Sequence, residues 1–264
     1  MKLIETSAKF GYIWIGKGIW LFHKNPLNLL AIFFTYVFSM TLIVHIPVVG
    51  SVLWLILVPG LYVGFMSACR DVLAGKHVFP LALFTGFRAH SSSVSWQLLQ
   101  LGLIYCALVT TSLFLTSIID DGWLLKTVII EVKPDNNVAH SSALISSIVL
   151  GFLIYLPTMM LFWFAPLLTA WHGVPPIKSM FFSFVVCWRN RITFLVYLAT
   201  WFAVIISASL VIGFILNVFG LSSGALTALL PVSMILWTII YCSFYASYCS
   251  CFNREQNASP EFII

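Results

Sequence analysis

The sequence predicts an all-α, polytopic transmembrane helical bundle of about six spans, with short in-plane amphipathic helices on the cytoplasmic side. Three observations carry this prediction. The chain is 61% hydrophobic and only 8% charged, its mean hydropathy is +1.04, and its basic residues gather almost entirely on alternate connections. Soluble domains carry about a quarter charged residues, and a soluble chain this apolar would expose large adhesive patches. In lipid the same composition is expected. The apolar runs are continuous and close to the roughly 20 residues a spanning helix needs, whereas a barrel would alternate polar and apolar positions over strands of about ten residues.

The elements follow in order within a single membrane domain, 1–264. An N-terminal segment, 1–26, begins polar from Met1 to Lys9. Gly11, Gly16, Lys17 and Gly18 then break up the apolar character, and no small-residue cleavage site follows, so a signal peptide is not expected. At 100° per residue Lys9, Lys17 and Lys24 fall in one arc, with Phe10, Trp14, Gly18, Leu21 and Phe22 opposite. That pattern predicts a helix lying in the membrane plane, lysines toward water and rings toward acyl chains.

The first span, 27–46, is opened by Asn25-Pro26 as cap and first-turn proline. A turn at 47–50 leads to the second, 51–68, where Gly60 and Gly64 have the spacing of a close helix contact. The third is 96–117, and a polar extracytoplasmic loop occupies 118–142. The fourth, 143–169, carries Pro157 and Pro166. The fifth, 192–216, repeats the small-residue spacing at Ser209 and Gly213, and the sixth is 225–247, before a cytoplasmic tail at 251–264. Pro59, Pro157 and Pro231 fall inside spans and are expected to bend them, freeing carbonyls that need new partners.

Orientation follows from charge. Lys2, Lys9, Lys17, Lys24, Arg70, Lys76, Arg88, Lys178, Arg189, Arg191 and Arg254 lie on the side of both termini; only Lys126 and Lys133 lie opposite. These 11 of the 13 basic residues mark their side as cytoplasmic, because Lys and Arg resist translocation. Trp163, Trp171 and Trp188 fall near the cytoplasmic boundaries and Trp123 near the far one, where indole rings settle. The net charge of +5 therefore reads as topology and contact with anionic lipid. No segment outside the spans is large enough to form a basic groove for nucleic acid.

Three cytoplasmic segments resemble one another. Each ends in an aromatic residue and a basic or polar cluster ahead of a span: Phe22-His23-Lys24-Asn25, Phe87-Arg88-Ala89-His90 and Trp188-Arg189-Asn190-Arg191. This looks like an in-plane helix followed by a helical hairpin, used three times. In the third, Met180, Phe181, Phe184, Cys187 and Trp188 share one face, and Ser179, Ser183 and Asn190 another.

Chemistry is sparse. None of the six spans contains Asp, Glu, Lys or Arg, the groups that ion-coupled transporters keep at membrane depth. No nucleophile with a base, and no His/Glu metal set, can be assembled on facing helices. His45 stands alone beside Pro47, at a turn, and reads as structural. Cys249-Ser-Cys251 lacks a second pair of ligands, and Asp120, Asp121, Glu131, Asp135 and His140 match no compact calcium loop. No catalytic residue, metal or cofactor is expected, and the chain is not expected to be an enzyme.

Phe164-Ala165-Pro166, Trp171-His172-Gly173-Val174-Pro175-Pro176, Phe181-Phe182-Ser183-Phe184 and Cys187-Trp188-Arg189-Asn190, with Gly18-Ile19-Trp20-Leu21-Phe22 and Asn25-Pro26, resemble an uncharacterised family of proteobacterial six-helix inner-membrane proteins. The resemblance covers nearly the whole chain except the far-side loop and the tail. It implies a bacterial inner-membrane location and brings no activity with it.

The candidate surface is His172, Pro175, Pro176, Trp188, Arg189, Asn190 and Arg191, for anionic lipid headgroups or a protein partner. The prolines fix the chain direction, and arginine can grip a phosphate with two parallel hydrogen bonds, which lysine cannot. The same arginines could equally be topology anchors. Two function classes remain: a non-enzymatic scaffold, assembly factor or accessory subunit of a membrane complex, with a partner protein or a second copy; or a transporter or channel for a neutral or lipid-like substrate.

Overall fold

The computed structural model describes residues 4–47, 49–88, 92–120, 142–218 and 225–252, with side chains except at 118–120, 142–148 and 225–229. The described elements are helical: α1 Phe10–Lys24, α2 Pro26–Val44, α3 Gly50–Leu73, a 3-10 turn Pro80–Phe84, α4 Thr85–Arg88, α5 Ser92–Asp120, α6 Ser142–Phe162, α7 Ala165–His172, α8 Pro176–Arg189, α9 Arg191–Val218 and α10 Ala225–Phe252. Six stretches are long and apolar enough to cross a membrane: those in α2, α3, α5, α6 with α7, α9 and α10. The chain is an all-α polytopic bundle.

Some boundaries differ from expectation. The second span continues to Leu73 and carries Arg70 past its apolar part. The sixth continues to Phe252, so Cys251 and Phe252 belong to α10 and not to a tail. The fourth is broken between Phe162 and Ala165. Asp121, Glu131, Asp135, His140 and most of the 118–142 loop lie outside the described residues, as does the tail from 253.

The chain divides into two compact units. The first comprises Met1–Phe38, Gly64–Thr85 and Val186–Ile264. Its distinctive feature is the docking of α1 on α9 and α10. A Cβ added at Gly11 would lie 2.7 Å from the Thr193 carbonyl oxygen, and one at Gly18 would lie 2.8 Å from the Ser243 backbone nitrogen. Only glycine lets the backbones approach this closely. Between these two positions Trp14 is fully buried, edge-on to Phe194 at 5.2 Å and to Tyr197 at 5.7 Å. The Tyr197 hydroxyl meets Ser243 Oγ at 2.5 Å and joins α9 to α10. Around Tyr241 of α10 the rings of Phe33, Tyr36, Phe65 and Phe244 gather at 5.9, 5.7, 4.9 and 5.6 Å, which fastens α2 and α3 to the same helix.

On α1, Trp14, Gly18, Leu21 and Phe22, expected to turn toward acyl chains, are instead buried against the protein because α9 and α10 cover that face, and Gly11 and Ile15 are buried with them where Phe10 is only half-buried. Its polar arc is less uniform than expected. Lys9 and Lys24 are exposed, but Lys17 is half-buried, and that burial pulls its pKa below the ordinary lysine value. With the native cysteines replaced, a cysteine at Lys9 should react fast with a water-soluble maleimide, one at Lys17 more slowly, and one at Leu21 not at all. Equal labelling of the three would show α1 undocked.

The second unit comprises Ser39–Val63 and Gly86–Val185. Here α3 receives α4 and α5 at close range: Gly60 lies against the Phe87 ring, its carbonyl against Gly86, and Gly102 against the Ile56 backbone. Hydroxyls link the helices at Tyr105 with Tyr155 (2.7 Å) and from Tyr62 to the Trp163 carbonyl (3.2 Å). In the first unit Gly64 stands equally close to the backbone of Leu83. The Gly60–Gly64 spacing thus serves close packing, and what it admits is the 80–88 connection. Ser209 and Gly213 do not behave alike: Ser209 is exposed, and among the described residues nothing lies within 4 Å of a Cβ built at Gly213. Along the same helix Phe202, Leu210 and Phe214 are exposed, as suits a surface solvated by acyl chains.

Candidate functional site

The segment from His172 to Arg191 starts where α7 stops. Gly173 takes the left-handed conformation (φ +61°) that closes α7, and the Val174 N–H reaches back to the Leu168 carbonyl at 3.3 Å. Pro176 then occupies the first position of α8, where its missing N–H costs nothing. His172 and Pro175 are exposed and Pro176 is half-buried.

The face of α8 that carries the small polar residues is the one turned into the protein. Ser179 and Ser183 are fully buried and Asn190, just beyond the helix, is nearly so, whereas Ile177, Phe181 and Trp188 are 78%, 62% and 56% exposed. This inverts the arrangement normal for a helix at a water-facing surface. Each buried polar group is paired, as burial requires. Thr169 Oγ1 donates to Ser179 Oγ at 2.9 Å, and Ser179 Oγ donates to the Pro176 carbonyl at 2.7 Å. Ser183 Oγ accepts from the Phe164 N–H at 3.0 Å and donates to the Met160 carbonyl at 2.8 Å.

The Ser183 contact explains the broken fourth span. In an uninterrupted helix Phe164 N–H would bond directly to the Met160 carbonyl four residues earlier. Here the Ser183 hydroxyl stands between those two groups and bonds to both, an inserted side chain of the kind that breaks a helical ladder. Pro166, which has no N–H to give, lies just beyond. Both backbone groups remain satisfied at membrane depth, where an unpaired one would cost several kcal/mol.

Asn190 anchors the start of the chain. Its Oδ1 accepts from the Thr6 N–H at 2.7 Å and from the Thr6 hydroxyl at 2.9 Å, and its Nδ2 donates to the Val186 carbonyl at 3.0 Å. Thr193 Oγ1 lies within bonding range of the Thr6 and Ser7 carbonyls, at 3.2 and 3.3 Å. Of the residues expected to form a recognition surface, Asn190 is therefore withdrawn into the interior. The two arginines flanking it are exposed and not alike. Arg189 Nε is 3.7 Å from Glu5 Oε1, an exposed pair that contributes little. The Arg191 guanidinium lies 5.8 Å from the Trp188 ring centroid.

The sequence reading missed Thr6, Thr169, Ser179 and Ser183 as working parts. One signal was available: Ser179 and Ser183 have the same spacing of small residues as Gly60 and Gly64. Among the described residues no group of three His, Cys, Asp or Glu could hold a metal ion. His45 bonds through Nδ1 to the Thr41 carbonyl of its own helix at 2.7 Å.

No family model matches the chain. No solved structure matches it. Over nearly its whole length it is similar to a probable inner membrane protein of Burkholderia thailandensis, with 42% identity over 264 residues that cover 99% of this chain and 97% of the relative.

Proposed function

The chain belongs to the family of that probable inner membrane protein of Burkholderia thailandensis, and from this premise we propose that it is a non-enzymatic accessory subunit, scaffold or assembly factor of an inner-membrane complex. Its termini and its α8 surface face the cytoplasm. The observation that carries the reading is the way the spans use their hydroxyls. Thr35, Thr110, Ser112, Thr200, Thr238 and Ser250 each donate to the carbonyl four residues earlier on their own helix. A hydroxyl turned back in this way gives its donor to its own backbone and has none to offer a solute. Tyr105 with Tyr155 and Tyr197 with Ser243 bond across helices, which suits a body that holds its shape and offers its surface.

Native co-purification tests this. The expected result is a membrane protein recovered in stoichiometric amount. Recovery alone, with a tightly retained solute, would favour the transporter reading and sink this one. The orientation has its own test. A reporter active only in the cytoplasm should give signal when fused after Lys76, Lys178 and Ile264, and none after Asn136, because basic flanks stay on the cytoplasmic side. Comparable signal at Asn136 and Ile264 would overturn the orientation.

A further inference from the structure

The second unit contains an open apolar groove of about 440 Å³, lined by Ile104 of α5, Leu161 of α6, and Ile177, Met180, Phe181 and Phe184 of α8. We infer that this groove holds one acyl chain of an anionic phospholipid, with the lipid phosphate beside Lys178. The inference rests on local geometry and stands whether or not the protein is an accessory subunit.

The lining argues for an acyl chain. A site for a polar small molecule places a few convergent hydrogen-bonding groups among its apolar walls, and the side chains lining this groove offer none. Depth argues the same way. Ile104 lies twelve residues from Ser92 at the start of α5 (104 − 92), or about 18 Å along the helix. At Ile104 the groove thus reaches a depth that acyl chains occupy in a hydrocarbon layer about 30 Å thick.

The headgroup assignment comes from α8, which has three sides. Its small polar residues are locked inside, and Ile177, Phe181, Phe184 and Trp188 form an apolar face toward the groove and lipid. Lys178 and Arg189 are both exposed, and eleven residues apart they fall within about 20° of each other on the helix. They make a cationic edge along one flank of the apolar face. The helix itself contains no acidic residue, and Glu5 reaches only the Arg189 end of that edge, so Lys178 is the cation left beside the groove. A lipid whose chain enters between Phe181 and Ile104 brings its phosphate to Lys178.

The test uses wild-type protein in phosphatidylcholine vesicles doped with phosphatidylglycerol or phosphatidylcholine carrying a mid-chain diazirine. After irradiation, adducts are mapped by mass spectrometry. Expected are adducts at Ile104, Met180 and Phe184 several-fold above those on the exposed α9 surface from Phe202 to Phe214, with the glycerol lipid preferred. Lys178→Glu should lower that headgroup preference about fivefold or more, given the weight of one basic residue at an anionic surface. Met180→Trp should fill the groove and suppress adducts at Ile104 while labelling of α9 stays unchanged. Equal yields on the groove and on α9, indifference to headgroup, or a protein crosslink in place of the lipid adduct each overturn the inference.

Discussion

Valine at Gly64 is expected to leave little folded protein. A Cβ at this position would run into the Leu83 carbonyl, which is backbone and cannot rotate away. Overpacking a tight contact costs typically 1–3 kcal/mol and occasionally more, and a backbone obstacle places this substitution at about 3 kcal/mol or above. The measurement is the midpoint of thermal unfolding in mild detergent, followed by size-exclusion chromatography. Gly16→Ala is the matched control. It too alters a helical glycine, but nothing lies within 4 Å of the added atom. Removing glycine from an exposed helix interior should stabilise by about 0.5–1 kcal/mol. If Gly64→Val kept the wild-type midpoint, the close approach of the 80–88 connection to α3 would be wrong.

Asn190→Leu carries the second large effect. The side chain is buried and loses its acceptor for Thr6 and its donor to Val186 at once. Leaving a fully buried N–H unpaired costs about 1–3 kcal/mol, and the half-buried Thr6 N–H falls toward the lower end of that range. That loss should appear locally before it appears globally, because Thr6 bonds to Asn190 and Thr193 and leaves Ile4, through its N–H to the Cys251 carbonyl, as the remaining backbone tie of the segment. Trypsin should cut at the exposed Lys9 much faster in the variant, with α1 released only later. Paired with Thr6→Ala, the substitution should be strongly non-additive, as contacting residues are. An unchanged rate of cleavage at Lys9 would show that the amide does not hold the N-terminal segment.

The legible parts of the fold were those set by solvent. Continuous apolar length announces a span wherever it occurs, and all six were readable; periodicity also grouped Trp14, Leu21 and Phe22 on one face of α1, but not that protein rather than lipid covers it. The polarity of α8 was not. Periodicity divides its residues into faces, but the rule that the apolar face goes inward presumes water outside. At the edge of a membrane that presumption fails, and Phe181 and Trp188 can face lipid while Ser179 and Ser183 face protein. Distance hid the rest. Pro166 signals a break in the fourth span, but the hydroxyl that completes it is at Ser183, and the partner of Asn190 is at Thr6, 184 residues away. The Ser209–Gly213 spacing meets no such neighbour among the described residues: small residues permit a close approach without supplying one.

The docking of α1 on α9 and α10 has a consequence for how the chain is born. Gly18 needs Ser243, which is made 225 residues later (243 − 18). At a ribosomal pace of about 5–20 residues per second, the wait is roughly 10–45 seconds. Trp14 meets Phe194 and Tyr197 once α9 is made, but the contact at Gly18 waits for α10. The nascent protein is thus a tethered, half-finished object whose beginning is completed by its end. A chain that ends before α10 lacks the Ser243 side of that contact.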